Sequence, residues 1–204
     1  MRYRRSLIDA AEYSIPNGDE FIGLSHLEHG DDFQRDAVVP WPVAPRPFFE
    51  EAFGSWLGRV ASRYDISVGM LWERSIPSEM PRLGNAGWLI FPPVPDYTLE
   101  RFARLARLGN NRLEAIQTPI DWTTDRQCVP YCFKCLVLND ADVAAPRWKR
   151  EWLDPTADRC RVHHTFLETV PASIFRKAGN LADARRAIGR HRNPYKRHDP
   201  TRIR

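Results

Sequence analysis

The chain has 204 residues, 43% hydrophobic and 27% charged, with 30 Lys and Arg against 26 Asp and Glu for a formal charge of +4. That length suffices for one good core or two small ones, since domains commonly run about 100–200 residues, and the composition excludes a collagenous or broadly disordered polymer. No apolar run approaches the ~20 residues of a membrane-spanning helix, and MRYRRSLIDAAEYSIPN lacks the apolar core of a signal peptide. A cytoplasmic protein with no membrane association is expected. Its thiols are then reduced, which counts against a disulfide framework.

Residues 1–40 carry little pattern beyond EFIGLSHLEH, a short strand or helix, and are expected to be an N-terminal extension. The segment AVVPWPVAPRPFF holds Pro40, Pro42, Pro45 and Pro47, too many for a helix or an inner strand, so an extended connector is expected. From Phe49 the period changes. FEEAFGSWLGRVASRYD places Phe49, Ala52, Phe53, Trp56, Leu57, Val60 and Tyr64 at three- and four-residue steps, which predicts a helix with one buried face. Ser67 can cap a second, shorter helix, SVGMLWER, in which Val68, Leu71 and Trp72 share a side. Helix, tight turn and short helix together outline a helix-turn-helix unit. After a Pro/Gly-rich stretch from Pro77 to Pro95, Thr98 can cap TLERFARLARLG, closed by Gly109, and NRLEAIQ follows as another short helix. The fold class expected is mainly α, with a helix-turn-helix-like domain over 41–125 whose aromatic and leucine stripes form the core.

The chain has four cysteines, and YCFKCLVLND sets two of them, Cys132 and Cys135, two residues apart. A second pair, Cys160 and His163, has the same internal spacing and follows after 24 intervening residues. Two ligand pairs joined by a loop of this length match a tetrahedral structural zinc site. A pair so spaced can turn both side chains onto one ion, and the loop returns the other pair to close the tetrahedron. One structural Zn²⁺ held by Cys132, Cys135, Cys160 and His163 is the expectation, in a zinc-ribbon or zinc-finger-like module spanning 126–172. Cys128 is a spare thiol able to replace a ligand, and His164 a substitute for His163. A redox dithiol and unpaired buried cysteines are the competing readings.

Residues 173–204 are expected to be a basic C-terminal tail, with Arg176, Lys177, Arg185, Arg186, Arg190, Arg192, Lys196, Arg197, Arg202 and Arg204 crowded together. Such a block attracts polyanions, nucleic acid first among them, although a solvated tail is the plain alternative. The residues put forward for DNA contact are Arg185, Arg186, Arg190, Arg192, Lys196 and Arg197, with Arg147, Lys149 and Arg150 beside the cysteine pairs. Arginine forks suit phosphate, and such contacts position a protein on DNA without reading sequence. The helix SVGMLWER, mainly apolar and acidic, is a poor reader of a major groove.

Taken together, several ordered segments resemble the TniQ family of transposition proteins. The family's opening, a proline-rich lead followed by an acidic residue and a Ser-Trp-Leu-x-Arg helix, is matched by PRPFFEEAFGSWLGRVASRYDIS. Its later helix pair is similar to TLERFARLARLGNNRLEAIQTPI. Its zinc signature is matched by YCFKCLVLND, RWKREW and CRVHHTFL, so the resemblance covers roughly residues 40–171. The family often has glycine after the zinc histidine, where His164 stands, and many members carry a further Cys-Pro-x-Cys where this chain has Val170-Pro171-Ala172-Ser173, so one zinc is expected rather than two.

What the resemblance implies is an adaptor in target-site selection by Tn7-like and related transposons. Such an adaptor joins targeting machinery, a CRISPR effector complex or another targeting protein, to an AAA+ ATPase transposition regulator (TnsC/TniB-like) on DNA, which places it at the nucleoid. The chain has no phosphate-cradling Gly-Lys-Ser/Thr loop, no His-Glu-x-x-His helix and no Gly-x-Ser-x-Gly elbow, and a non-enzymatic role is expected. Scattered acids such as Asp140, Asp142 and Asp154 are expected to be surface charge rather than a nuclease cluster. The alternatives are a stand-alone zinc-containing helix-turn-helix DNA-binding regulator and a thiol oxidoreductase.

Overall fold

The computed structural model describes residues 38–138 and 145–197. Residues 1–37 of the expected 1–40 extension, Asp140 and Asp142, and the tail beyond Arg197 lie outside the described residues.

Helix α1 (Phe53–Arg63) is the element the others pack around. Its apolar stripe buries Phe53, Trp56, Leu57 and Val60, and Gly54, Ser55 and Gly58 are buried on its other sides. The two glycines are required by close approach. A Cβ on Gly54 would lie 2.1 Å from the Trp88 carbonyl oxygen, and one on Gly58 would lie 2.7 Å from the Trp88 ring. Phe49, expected on the stripe, is instead outside the helix and 78% exposed. Phe49 and Glu50 form a tight turn, the Glu51 N–H donating to the Phe48 carbonyl at 3.2 Å, and Glu51 is then bridged to Lys149, which takes Phe49 out of the helical register.

Helix α2 (Val68–Ser75) follows after Tyr64–Ser67, with the Ser67 hydroxyl accepting from the Met70 N–H at 3.0 Å as expected of a cap. Helix α3 (Asp96–Ala106) starts two residues before Thr98, behind Pro95, and Thr98 is buried within its first turn. Pro95 supplies the extended residue that precedes the first turn, and Asp96 complements the helix dipole. The helix is closed by Arg107 in the left-handed region (φ 55°), with Leu108 N–H donating to the Ala103 carbonyl, so Gly109 is free to precede α4 (Asn110–Glu114).

The faces of α1, α2 and α3 meet in an aromatic cluster. Trp72 stacks on Phe91 with ring centroids 5.5 Å apart, and Phe102 meets Phe53, Trp56 and Trp72 edge-on. The proline-rich connector is extended, and it is also docked: Trp41 packs on Trp56 and Phe102, the Trp56 indole donates to the Pro45 carbonyl at 2.8 Å, and Tyr64 bonds both polar groups of the Val43 backbone.

Strands β1 (Cys128–Tyr131) and β2 (Glu168–Pro171) pair antiparallel, Cys128 opposite Pro171 and Tyr131 opposite Glu168. They frame the cysteine region.

The segment read as a basic tail is different in the structure. Residues 173–197 form α5 (Ser173–Lys177) and α6 (Leu181–Arg197), and α6 packs on α1 through Leu181, Ala184 and Ile188, all at most 2% exposed. Three apolar residues at steps of three and four suffice to dock a helix whose remaining positions are charged. The Asn180 side chain accepts from the Asp183 N–H at 3.1 Å, a cap that marks the start of α6. Buried residues from the helices, the strands and α6 join in a single core cluster.

Candidate metal centre

Two short turns carry the four donors. Cys132 follows β1 directly, and a π-helical turn, Lys134–Leu138, places Cys135 beside it, with the Leu136 N–H donating to the Cys132 carbonyl at 3.0 Å. In the second turn the His164 N–H donates to the Cys160 carbonyl at 2.8 Å and the Cys160 N–H to the Thr165 carbonyl at 2.9 Å, under a bridge between Arg159 and Phe166. The tightness of that turn puts His164 in the left-handed region at φ 52°. A glycine takes that conformation freely, whereas another residue costs roughly 1–2 kcal/mol there.

The donor atoms of Cys132, Cys135, Cys160 and His163 all lie within 4.8 Å of one another. His163 Nδ1 is 3.6, 3.2 and 3.8 Å from the sulfurs of Cys132, Cys135 and Cys160, and the Cys135 and Cys160 sulfurs are 3.7 Å apart. Ligands at zinc bond lengths on a regular tetrahedron stand about 3.6 Å apart for nitrogen to sulfur and about 3.8 Å for sulfur to sulfur. The residues therefore fit a four-coordinate ion, and an ion held by all four would have no position left for water. Burial, with the hydrogen bond to Cys160, pushes the Cys135 thiol up. At Cys160 burial acts in the same sense but is outweighed by the backbone N–H groups of His163 and Val162, so this thiol is held below its ordinary value. Cys128 is exposed at the start of β1, outside the group, and His164 is exposed as well.

The segment RWKREW locks this centre to α1. The Ala52 N–H donates to the Trp148 carbonyl, the Trp148 N–H to the Ser55 hydroxyl at 2.8 Å, and the Arg150 N–H to the Glu50 carbonyl at 2.7 Å. At the hub sits Glu51, 0% exposed, accepting from Ser55 at 2.8 Å and from two nitrogens of Arg59 at 2.8 and 2.7 Å. Glu51, Ser55 and Arg59 are spaced four residues apart, so one face of the chain entering α1 carries the whole knot. The acidic residue and the Ser-Trp-Leu-x-Arg motif thus form a buried polar clamp that the RWKREW backbone completes.

The basic residues put forward for DNA contact separate into two sets. Arg147 donates to Glu50 at 2.9 and 2.6 Å and lies over the Phe48 ring; burial acts to raise the Glu50 carboxyl, but Arg147 holds it below its ordinary value. Arg150 reaches the carbonyls of Ala115 and Gln117. Arg185 donates to the Leu136 carbonyl at 3.2 Å, and Arg192 grips both oxygens of Glu168 at 2.8 and 2.7 Å while covering the Phe133 ring. Tyr131, its hydroxyl pushed far up by burial and then by Glu168, stays protonated and donates to the same carboxylate at 3.0 Å. These four arginines tie the fold together. Arg186, paired with Asp183, and Arg190 are exposed, and Lys149 is half-buried. Lys196 and Arg197 lie near the end of α6, and their side chains are outside the described residues.

Helices, a two-stranded ribbon and a Cys₃His group able to hold a metal ion together define a helix-rich protein with a candidate metal centre. The TniQ family model matches residues 42–167, from the docked connector through the second ligand turn, and the chain belongs to the TniQ family. Comparison with curated proteins finds no match, and comparison with solved structures finds none. Among the described residues no helix is long and apolar enough to cross a membrane.

Proposed function

We propose that the protein is a non-enzymatic transposition adaptor that links target-recognition machinery to an AAA+ ATPase transposition regulator. Membership of the TniQ family over residues 42–167 carries this reading. The targeting side is a CRISPR effector complex or another targeting protein. Zinc, held by Cys132, Cys135, Cys160 and His163, fixes the two ligand turns against α1 so that the helical and cysteine regions present one rigid surface.

DNA contact belongs to Arg186 and Arg190, exposed on α6, together with Lys149, Lys196 and Arg197. Arg147, Arg150, Arg185 and Arg192 hold intramolecular partners and support that surface from within. Phosphate contacts of this kind position the adaptor without reading sequence.

The test measures binding of the purified protein to random and candidate-site duplexes across salt concentrations, with and without the ATPase. Replacing Arg186 and Arg190 by Glu should weaken binding about equally for all sequences, with the salt slope falling by roughly one for each phosphate no longer neutralised, while ATPase binding persists. Strong preference of the isolated protein for one duplex, with no dependence on the ATPase, would replace the adaptor with a stand-alone DNA-binding regulator.

A further inference from the structure

A cleft of about 430 Å³ opens where the connector, α1, α6 and the lead into RWKREW converge. Val43 and Pro45 of the connector, Pro146 just ahead of RWKREW, and Ala182 of α6 provide an apolar floor. Its cations are Arg59, Arg63 and Arg185. Arg59 is neutralised by Glu51, but Arg63 is exposed and Arg185 half-buried, and neither has a carboxylate partner among the described residues. Burial holds the Arg185 guanidinium below its ordinary value. No carboxylate is among the described residues that line the cleft.

From this juxtaposition we infer that the cleft is a docking site for an acidic peptide of a partner protein, one aliphatic or aromatic side chain seated on the floor and flanking carboxylates paired with Arg63 and Arg185. The floor decides against the other polyanion. A nucleic-acid backbone gains nothing from the ring faces of Pro45 and Pro146, whereas a peptide anchor removes them from water. Proline also carries no N–H, so the lining chain offers little for strand addition, and recognition rests on side chains. A carboxylate brought to a half-buried guanidinium forms the strong class of hydrogen bond. The site goes beyond the adaptor reading and does not depend on which protein supplies the peptide.

The experiment pans a random short-peptide display library on the full-length zinc-loaded chain and measures enriched peptides by fluorescence anisotropy. Enrichment of sequences with an apolar residue between Asp or Glu is expected. Arg63→Glu, at an exposed position, and Ala182→Trp, which fills the floor, should each weaken the peptides at least about tenfold, while Arg104→Glu on the exposed side of α3 leaves them unchanged. Circular dichroism checks that each variant is folded; should Ala182→Trp not fold, Val43→Glu replaces it. Enrichment without acidic residues, binding indifferent to Arg63→Glu, or no enrichment at all would overturn the inference. A short random-sequence duplex that competes for the cleft and is lost with the same variants would reassign it to nucleic acid and overturn it equally.

Discussion

In the helical region Trp56 and Trp72 are buried by ridges from α1, α2 and α3, each helix contributing a stripe several residues long. In the cysteine region Trp148 and Trp152 are buried too, yet around them stand two four-residue strands, a π-helical turn and a 3-10 turn over Arg150–Leu153. The first region holds its tryptophans by apolar area on regular elements. The second has too few regular elements to do so alone and combines a four-donor group with borrowed surface: Trp148 meets Phe175 at 5.1 Å, and Arg192 of α6 anchors Glu168. Short irregular segments become rigid when an ion and a neighbouring helix constrain them from opposite sides.

The largest effect should come from the metal. A closed Cys₃His site can contribute on the order of 10 kcal/mol to folding, so chelation, or Cys135→Ser, should abolish hydrogen-exchange protection over 128–138 and 145–171 while α1 to α3 keep much of theirs. Metal analysis should give one zinc per chain. A stoichiometry near zero with protection intact would erase the distinction between the regions.

Trp56→Ala should act in the opposite half, destabilising the helical core by about 3–5 kcal/mol in urea unfolding. An unchanged midpoint would show that the aromatic cluster does not carry that region.

Glu51→Gln tests the clamp between them. Removing one charge of a buried pair costs about 3–5 kcal/mol, and the isosteric amide should fall at the lower end because some hydrogen bonds survive. The signature is loss of protection in α1 and at Trp148 together; loss confined to one side would mean that the regions are held independently.

The smallest effects separate ligands from bystanders. Cys128→Ser should leave zinc content unchanged, in contrast to the loss expected of Cys135→Ser. His164→Gly should keep the metal and raise the thermal midpoint slightly, by relief of roughly 1 kcal/mol at a left-handed position. Loss of zinc in the His164 variant would move the fourth ligand.

Much of the candidate site was legible because its information is local. Ligand pairs with two residues between the donors, the stripe Phe53, Trp56, Leu57 and Val60, and the Ser67 cap depend on neighbours within one or two turns, and the structure brings the four spaced donors together. The docking of α6 was partly written in Asn180, Leu181, Ala184 and Ile188, a cap and a short stripe that the surrounding arginines obscure.

The roles of the charged residues were not legible. Arg147 meets Glu50 across 97 positions of sequence and Arg192 meets Glu168 across 24, so nothing near either arginine announces a partner. The extended bridge that removes Phe49 from α1 likewise depends on Lys149, far along the chain. The sequence by itself determined the helical periods and the spacing of the ligand pairs, because backbone geometry repeats over a few residues. Only the tertiary structure decided which cations face inward and where Arg63 and Arg185 would meet apolar residues in one cleft, because the fate of a charge depends on what packing brings beside it.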